Sequence, residues 1–263
     1  MQQDTPTQLA LITGASSGIG QALAARYYAA GYRLALIARR TSETKSWATQ
    51  HGMDTDRFQV YSGDVAIVDS IVAACQACLE QQGLPDVVVA NAGISVGVDT
   101  AVLTDLEVMS RVFATNNIGM AATFHPFVQG MRDRGSGKLV GIGSVAGIRG
   151  LPGHGAYCAS KAAVIAYCES LRGELRGAGV KVVTICPGYI DTPLTSKNRY
   201  SMPFLMQPGA FAAQAFAAIE AGVSYRVIPW QMGLVAKVLR LLPNSLFDRF
   251  FAGRPRKHRQ VAE

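Results

Sequence analysis

Seven short runs of apolar and β-branched residues recur along the chain: QLALIT at 8–13, RLALIA at 33–38, RFQVYS at 57–62, DVVVANAG at 86–93, GKLVGIGS at 137–144, VKVVTICPG at 180–188 and YRVIPW at 225–230. Longer, Ala-rich segments with helical spacing of apolar positions separate them. Several runs carry apolar side chains at successive positions, the pattern of strands covered on both faces. Strands alternating with helix-length segments predict βαβ units, and therefore an α/β fold: a doubly wound parallel sheet of about seven strands with helices on both faces. Two segments break the alternation. Residues 191–208 are rich in Pro, Ser and Thr and read as a mobile loop over the carboxyl edge of the sheet, and a further segment starts at Gln231.

At 263 residues the chain suits one large catalytic domain, 1–230, followed by an extension, 231–263. Apolar residues make up 49% and charged ones only 16%, which predicts a deep core and buried subunit contacts. The net charge of +7 is uneven, with +6 falling from Arg226 onward and +1 before it. The basicity belongs to the tail, and no interleaved basic and aromatic surface reads as a nucleic-acid platform. An odd number of cysteines, five, and a polar start from Met1 to Thr7 point to a reducing cytoplasm, because Leu9–Thr13 is too short for a leader's apolar core. Cys75 and Cys78 form a CxxC in a helix-like stretch with no second pair, so they read as packing residues and no metal is expected. No apolar run reaches the roughly 18 residues of a membrane span, since Lys237 and Arg240 interrupt the best one.

Directly after the first strand comes Thr13-Gly14-Ala15-Ser16-Ser17-Gly18-Ile19-Gly20, leading into a helical pattern. A tight glycine turn lets backbone N–H groups approach a pyrophosphate, and the helix N-terminus behind it favours negative charge. Position and pattern together mark a Rossmann-type dinucleotide site. The glycines fall as GxxxGxG, and TGASSGIG resembles the TGxxxGIG of the short-chain dehydrogenase/reductase family; the resemblance continues to about Pro193. At the end of the second strand, where an NAD enzyme carries an acid for the ribose hydroxyls, stand Ala38, Arg39 and Arg40. A missing acid and added guanidinium favour a 2′-phosphate and so NADP(H), with Ser16 as a further phosphate contact. Asp64 and Val65 resemble the family's adenine contacts.

Tyr157 and Lys161 lie four apart, hence on one face of a helix, and Ser144 ends the fifth strand at its carboxyl edge. The set resembles the family's Ser and YxxxK pattern. Reducing a carbonyl requires a proton donor for the developing alkoxide, and a phenol works in reverse only if a nearby cation favours phenolate. A three-unit lowering corresponds to about 4 kcal/mol, so that cation must be close and poorly screened. The resemblance makes Tyr157 the acid/base, Lys161 its cationic partner and Ser144 the group that orients substrate oxygen. It also selects Asn116, rather than Asn117, as the residue that fixes a water link to Lys161. Two adjacent helix-interior asparagines ask for a special explanation on propensity alone.

By the same resemblance, Asn91, Ala92 and Gly93 form the cofactor wall after the fourth strand, with Ala90 in place of the commoner Asn. Pro187, Gly188, Ile190 and Thr192 match PGxxxTP near the nicotinamide. The glycine-turn contacts are Gly14, Ser16, Ser17, Gly18, Ile19 and Gly20, and Tyr157 and Lys161 also touch cofactor. His154 lacks an acidic partner and reads as a residue at the pocket mouth. The implied activity is an NADP(H)-dependent oxidoreductase interconverting a carbonyl and an alcohol. The alternative is a non-catalytic NADP(H)-binding or interaction protein that keeps the fold.

Tyr200, Met202, Phe204, Leu205 and Met206 in the 189–209 loop suit an apolar substrate body. The family implies dimers or tetramers through long helices, and 156–176 offers apolar positions beyond one core's needs. In the tail, Leu234, Val235, Val238, Leu239, Leu241 and Leu242 oppose Lys237 and Arg240. Beyond Pro243, Leu246, Phe247, Phe250 and Phe251 repeat helical spacing, and Arg254, Arg256, Lys257 and Arg259 follow. An apolar helical stripe is more often covered by protein, so packing on the substrate loop or a neighbouring subunit is expected in preference to contact with an anionic membrane surface.

Overall fold

The computed structural model describes residues 7–196, 198, 200–253, 257 and 259. Arg254 and Arg256 lie outside the described residues. Each apolar run contains a strand: β1 (Leu9–Thr13), β2 (Arg33–Ala38), β3 (Phe58–Ser62), β4 (Val87–Ala90), β5 (Gly137–Ile142), β6 (Val180–Pro187) and β7 (Tyr225–Ile228). All pair in parallel, in the order β3-β2-β1-β4-β5-β6-β7. RLALIA is strand from end to end, whereas 91–93, 143–144 and Gly188 continue past their strands into the loops that line the site.

Alternation along each strand divides the core into two layers. Ala10, Ile12, Leu34, Leu36, Val87, Val89, Val183 and Ile185 face helices α1 (Gly18–Ala29), α2 (Thr41–Gln50) and α7 (Pro208–Glu220). Leu9, Leu11, Ala35, Ile37, Val88, Leu139 and Val182 face α3 (Val68–Gln82), α5 (Gly119–Arg134) and α6 (Gly155–Leu175). Both sides of the central strands are dry, which is why their sequences read as continuous apolar runs. Cys75 and Cys78 are fully buried in the second layer, where burial pushes both thiols up to about 12.

The strand order reverses between β1 and β4, and an open α/β sheet splays its loops apart at that point to leave a crevice. α4 (Asp105–Phe113) runs into α5 through a single wide π turn at Ala114–Ile118, closed by the Gly119 N–H on the Ala114 carbonyl. That turn contains the Asn116-Asn117 pair, and π turns concentrate at functional sites. After β7 the chain continues into α8 (Trp230–Leu241) and α9 (Asn244–Phe251), which pack beside the carboxyl edge of the sheet.

Candidate active site

One cleft of about 1330 Å³ opens along the carboxyl edge. Its first end is the β1 turn, where Gly14 and Gly18 adopt left-handed φ values of +68° and +55°. These are conformations an L side chain resists. Gly20 lies behind the turn and not in the cleft: a Cβ there would sit 2.1 Å from the Gly14 carbonyl oxygen, so only glycine lets α1 approach this closely. The first turn of α1 has neither a capping side chain nor an acid, which leaves its N–H groups to an anion. Asn91 ties the turn to β4. Its Nδ2 donates to the Thr13 carbonyl at 3.0 Å, while Thr13 Oγ1 accepts from the backbone N–H groups of Asn91 and Ala92, each at 3.1 Å.

The polar mouth of this end is basic. Ala38 is buried at the end of β2, and Arg40 Nη2 donates to Ser16 Oγ at 3.3 Å. Arg39 lies 3.7 Å from the Asp64 carboxylate with its side chain 72% exposed, so the pair is loose and the guanidinium accessible. Asp64 also caps its own loop, accepting from the Ala66 N–H at 3.0 Å. Val65, Ala92, Gly93, Pro187, Gly188, Ile190 and Thr192 complete the lining, with Ser16, Ser17 and Ile19. A dinucleotide fits these features, because the glycine turn gives close backbone approach and the Arg39, Arg40 and Ser16 group gives hydrogen-bond donors without a facing acid at Ala38.

Midway along the cleft, Ser144, Tyr157 and Lys161 converge. Ser144 leaves β5 and caps a short 3-10 turn at Val145–Gly147, accepting from the Ala146 N–H at 3.1 Å. Gly147 rests on the backbone of Lys161, where a Cβ would fall 2.6 Å from its carbonyl carbon. This close contact sets the Ser144 loop against α6. Lys161 is buried and donates from Nζ to the Ile142 carbonyl at 2.8 Å, 5.8 Å from the centre of the Tyr157 ring. Burial lowers Lys161 to about 8, which still leaves it protonated at neutral pH. Burial pushes the Tyr157 phenol up to about 12, with the Ser144 hydroxyl opposing the shift. Tyr157 is therefore held as a neutral proton donor.

Asn116 sits one layer behind this wall. Its Oδ1 accepts from the Ile94 N–H at 2.9 Å, and its Nδ2 donates to the Ile94 carbonyl at 3.0 Å and to Ser160 Oγ at 2.9 Å. The side chain thus fastens the loop after β4 to α6, and no hydrogen bond joins it to Lys161. Asn117 donates to the Ser160 carbonyl at 2.8 Å, one position along the same turn of α6.

The second end of the cleft is apolar and was only partly visible in the sequence. The loop after β6 is closed at its base, where the Asp191 N–H donates to the Met206 carbonyl and the Met206 N–H to the Tyr189 carbonyl, each at 2.9 Å. Tyr189 and Tyr200 reach the cleft, but Met202, Phe204, Leu205 and Met206 do not line it. His154 is buried beside Tyr200, its Nδ1 3.1 Å from the Pro152 carbonyl and its Nε2 3.3 Å from the Tyr200 hydroxyl. A carbonyl only accepts, so Nδ1 carries the proton and Nε2 accepts from Tyr200. Burial lowers its pKa and keeps the ring neutral, so His154 joins α6 to the loop.

Met232, Val235, Ala236 and Leu239 of α8, with Phe251 of α9, form the far wall. Arg149, from the loop after Ser144, holds these helices in place. Its Nη1 donates to the carbonyls of Leu239, Arg240 and Leu242, its Nη2 donates to Asn244 Oδ1 at 3.0 Å, and its guanidinium lies 3.8 Å from the Phe247 ring centre. Two further ties come from the tail: Lys257 Nζ donates to Asn198 Oδ1 at 2.7 Å, and Arg259 pairs with Asp105 at 2.7 Å and holds that carboxyl below the usual carboxylate range. Helix C-termini leave carbonyls without intrahelical partners, and a guanidinium fork suits them. Arg149 carries no local sequence signal, because its partners lie about 90 residues away.

The sequence profile of the short chain dehydrogenases matches residues 8–202. The chain is a short-chain dehydrogenase. This short-chain dehydrogenase is 37% identical over 246 residues to an uncharacterised oxidoreductase of Myxococcus xanthus (strain DK1622), covering 91% of this chain and 94% of that one. Among solved structures it is similar to actinorhodin polyketide ketoreductase, in a variant complexed with NADPH, with a TM-score of 0.76 and 29% identity over 84% of this chain and 95% of that one. It is equally similar in TM-score, 0.76, to 3-ketoacyl-(acyl-carrier-protein) reductase of Brucella melitensis complexed with NADH, at 25% identity over 84% of this chain and 96% of that one. As a short-chain dehydrogenase it is an oxidoreductase that uses a nicotinamide cofactor, and complexes with both nicotinamides occur among its relatives.

Proposed function

We propose that this short-chain dehydrogenase is an NADP(H)-dependent oxidoreductase that interconverts a carbonyl and an alcohol on a small, predominantly apolar substrate. The observation that carries this reading is the convergence of Ser144, Tyr157 and Lys161 midway between a glycine turn with a basic mouth and an apolar wall. A nicotinamide, when bound, supplies or accepts the hydride. Ser144 donates a hydrogen bond to the substrate oxygen and orients it. The Tyr157 phenol delivers its proton to that oxygen in reduction and removes it in oxidation. Lys161, held by the Ile142 carbonyl, places a buried positive charge beside the phenol, which favours loss of the Tyr157 proton. Asn116 is a positioning residue that holds the loop after β4 against α6.

The preference for NADP(H) rests on Ala38, Arg39, Arg40 and Ser16: an acid at position 38 would repel a 2′-phosphate, and two guanidinium groups attract it. Gly14, Ser17, Gly18 and Ile19 take the pyrophosphate, with Gly20 setting the approach of α1. Asp64 and Val65 take the adenine, Asn91, Ala92 and Gly93 wall the central part, and Pro187, Gly188, Ile190 and Thr192 surround the nicotinamide. Residues 1–230 carry this chemistry, and the extension 231–263 contributes α8 and α9, whose Met232, Val235, Ala236, Leu239 and Phe251 wall the substrate end. We place the protein in the cytoplasm, in keeping with five cysteines that are all free and buried. Homo-oligomers are expected through α4 and α6, which pack together and expose Leu106, Met109 and Tyr167.

Following NADPH absorbance with a panel of apolar aldehydes and ketones, and identifying the alcohol formed, tests the activity. Consumption matched by alcohol is the expected result. Tight NADPH binding without turnover across the panel would favour the binding-protein reading.

A further inference from the structure

Helix α8 has two apolar faces, and only one of them is used by the cleft. Met232, Val235, Ala236 and Leu239 point inward and line it. On the opposite side Trp230, Leu234, Val238 and Leu241 recur at intervals of four, four and three residues, a continuous stripe, and are exposed by 68%, 59%, 52% and 83%. Leu246 extends the apolar surface on α9 at 55% exposure. A soluble surface seldom gathers so many large apolar side chains in one place without a partner.

The charges beside the stripe indicate what covers it. Lys237 and Arg240 are exposed on one flank of α8 and Arg249 is exposed on α9, and none of the three forms an ion pair among the described residues. The segment from Arg226 onward carries +6 of the chain's +7. A two-fold pairing of copies through this face would gather the cations of both copies into one interface, because the same patch serves both sides. Anionic headgroups accept those cations while the stripe enters the acyl boundary, and a tryptophan at one end suits the interfacial layer. At 12 residues α8 is too short to cross, and among the described residues no helix is long and apolar enough to span a membrane.

We infer that the outer face of α8 and α9 docks on an anionic lipid surface, lying in the interface plane. This goes beyond the hydride-transfer reading and stands on different residues. Docked in this way, the protein holds in the lipid interface the same helices whose inner face walls the apolar end of the cleft.

The test uses the full chain with vesicles of phosphatidylcholine alone or mixed with phosphatidylglycerol. Native protein is expected to sediment at least about tenfold more with the anionic vesicles and to be released as salt rises from about 0.1 M to about 1 M. In the Trp47→Phe variant the remaining tryptophan, Trp230, is expected to shift its emission to the blue on adding anionic vesicles. The double variant Leu234→Glu/Leu241→Glu alters the stripe but not the cleft lining, and is expected to stay in the supernatant while binding NADPH as the native protein does. Native protein that ignores anionic vesicles would overturn the inference, as would a double variant that sediments equally well. A stripe whose substitution dissociates an oligomer without any native lipid binding would assign the face to a second copy instead and also overturn it. Failure to bind NADPH, with circular dichroism showing a folded chain, would count against the hydride-transfer reading alone and leave the lipid result to stand.

Discussion

The two ends of the cleft are built by different physics. At the cofactor end the backbone does the work: Gly14 and Gly18 in left-handed turns, Gly20 pressed against the Gly14 carbonyl, and Thr13 bridging β1 to the loop after β4. These features follow strand ends fixed by two dry core layers. At the substrate end, side chains from distant segments hold loops and terminal helices together, as Arg149 does with α8 and α9, His154 with Tyr200, and Lys257 with Asn198. The contrast implies that the first end is rigid and generic to the chemistry. The second can change its walls without disturbing the sheet, which is where substrate choice is expected to reside.

The largest expected effect lies at the junction of the two ends. Tyr157→Phe removes the proton donor and is expected to lower kcat by about 10³-fold while NADPH affinity changes less than about twofold, as titration and steady-state kinetics will show. Turnover near the native rate would remove Tyr157 from its role. At the cofactor end, Arg39→Asp/Arg40→Asp is expected to weaken NADPH by about 10- to 100-fold, the scale of lost charge-assisted hydrogen bonds, and to leave NADH nearly unchanged. Equal losses for both cofactors would show that these arginines act on the fold and not on the 2′-phosphate.

At the substrate end, Arg149→Ala frees the carbonyls at the end of α8 and the Phe247 ring. It is expected to cost about 1–2 kcal/mol of stability in urea unfolding and to raise KM for the bulkier apolar substrates several-fold, with NADPH affinity unchanged. A parallel loss of cofactor affinity would break the proposed separation of the two ends. The last effect is on stability alone and concerns pH. Lys161 has a lowered pKa of about 8, so between that value and its unfolded pKa of about 10.4 the unfolded chain binds more protons, and stability rises with pH across this window. Compared with Lys161→Met, the native protein is expected to gain stability from pH 8 to about pH 10. A flat difference would show that the amine is not desolvated.

The legibility of the sequence follows the same division. β1 through β7 were readable because strands buried on both faces leave long apolar runs, and the glycine turn, Ser144, Tyr157 and Lys161 sit at short, fixed offsets from them. Asn116 was readable as special, but its partners Ile94 and Ser160 depend on packing between a π turn and α6. Arg149 was invisible, since nothing within several residues of it hints at a helix end about 90 positions later. The spacing of the tail predicts one apolar surface opposed by cations. In three dimensions α8 is apolar on two opposite sides, and helical periodicity alone does not separate a face that meets the cleft from one that meets solvent.

The central claim, an NADP(H)-dependent hydride-transfer site, is tested most directly by titrating the native protein with NADPH and with NADH under one set of conditions. Binding at least about tenfold tighter for NADPH is the result predicted from Ala38, Arg39, Arg40 and Ser16. Equal affinity for the two, or a preference for NADH, would contradict it.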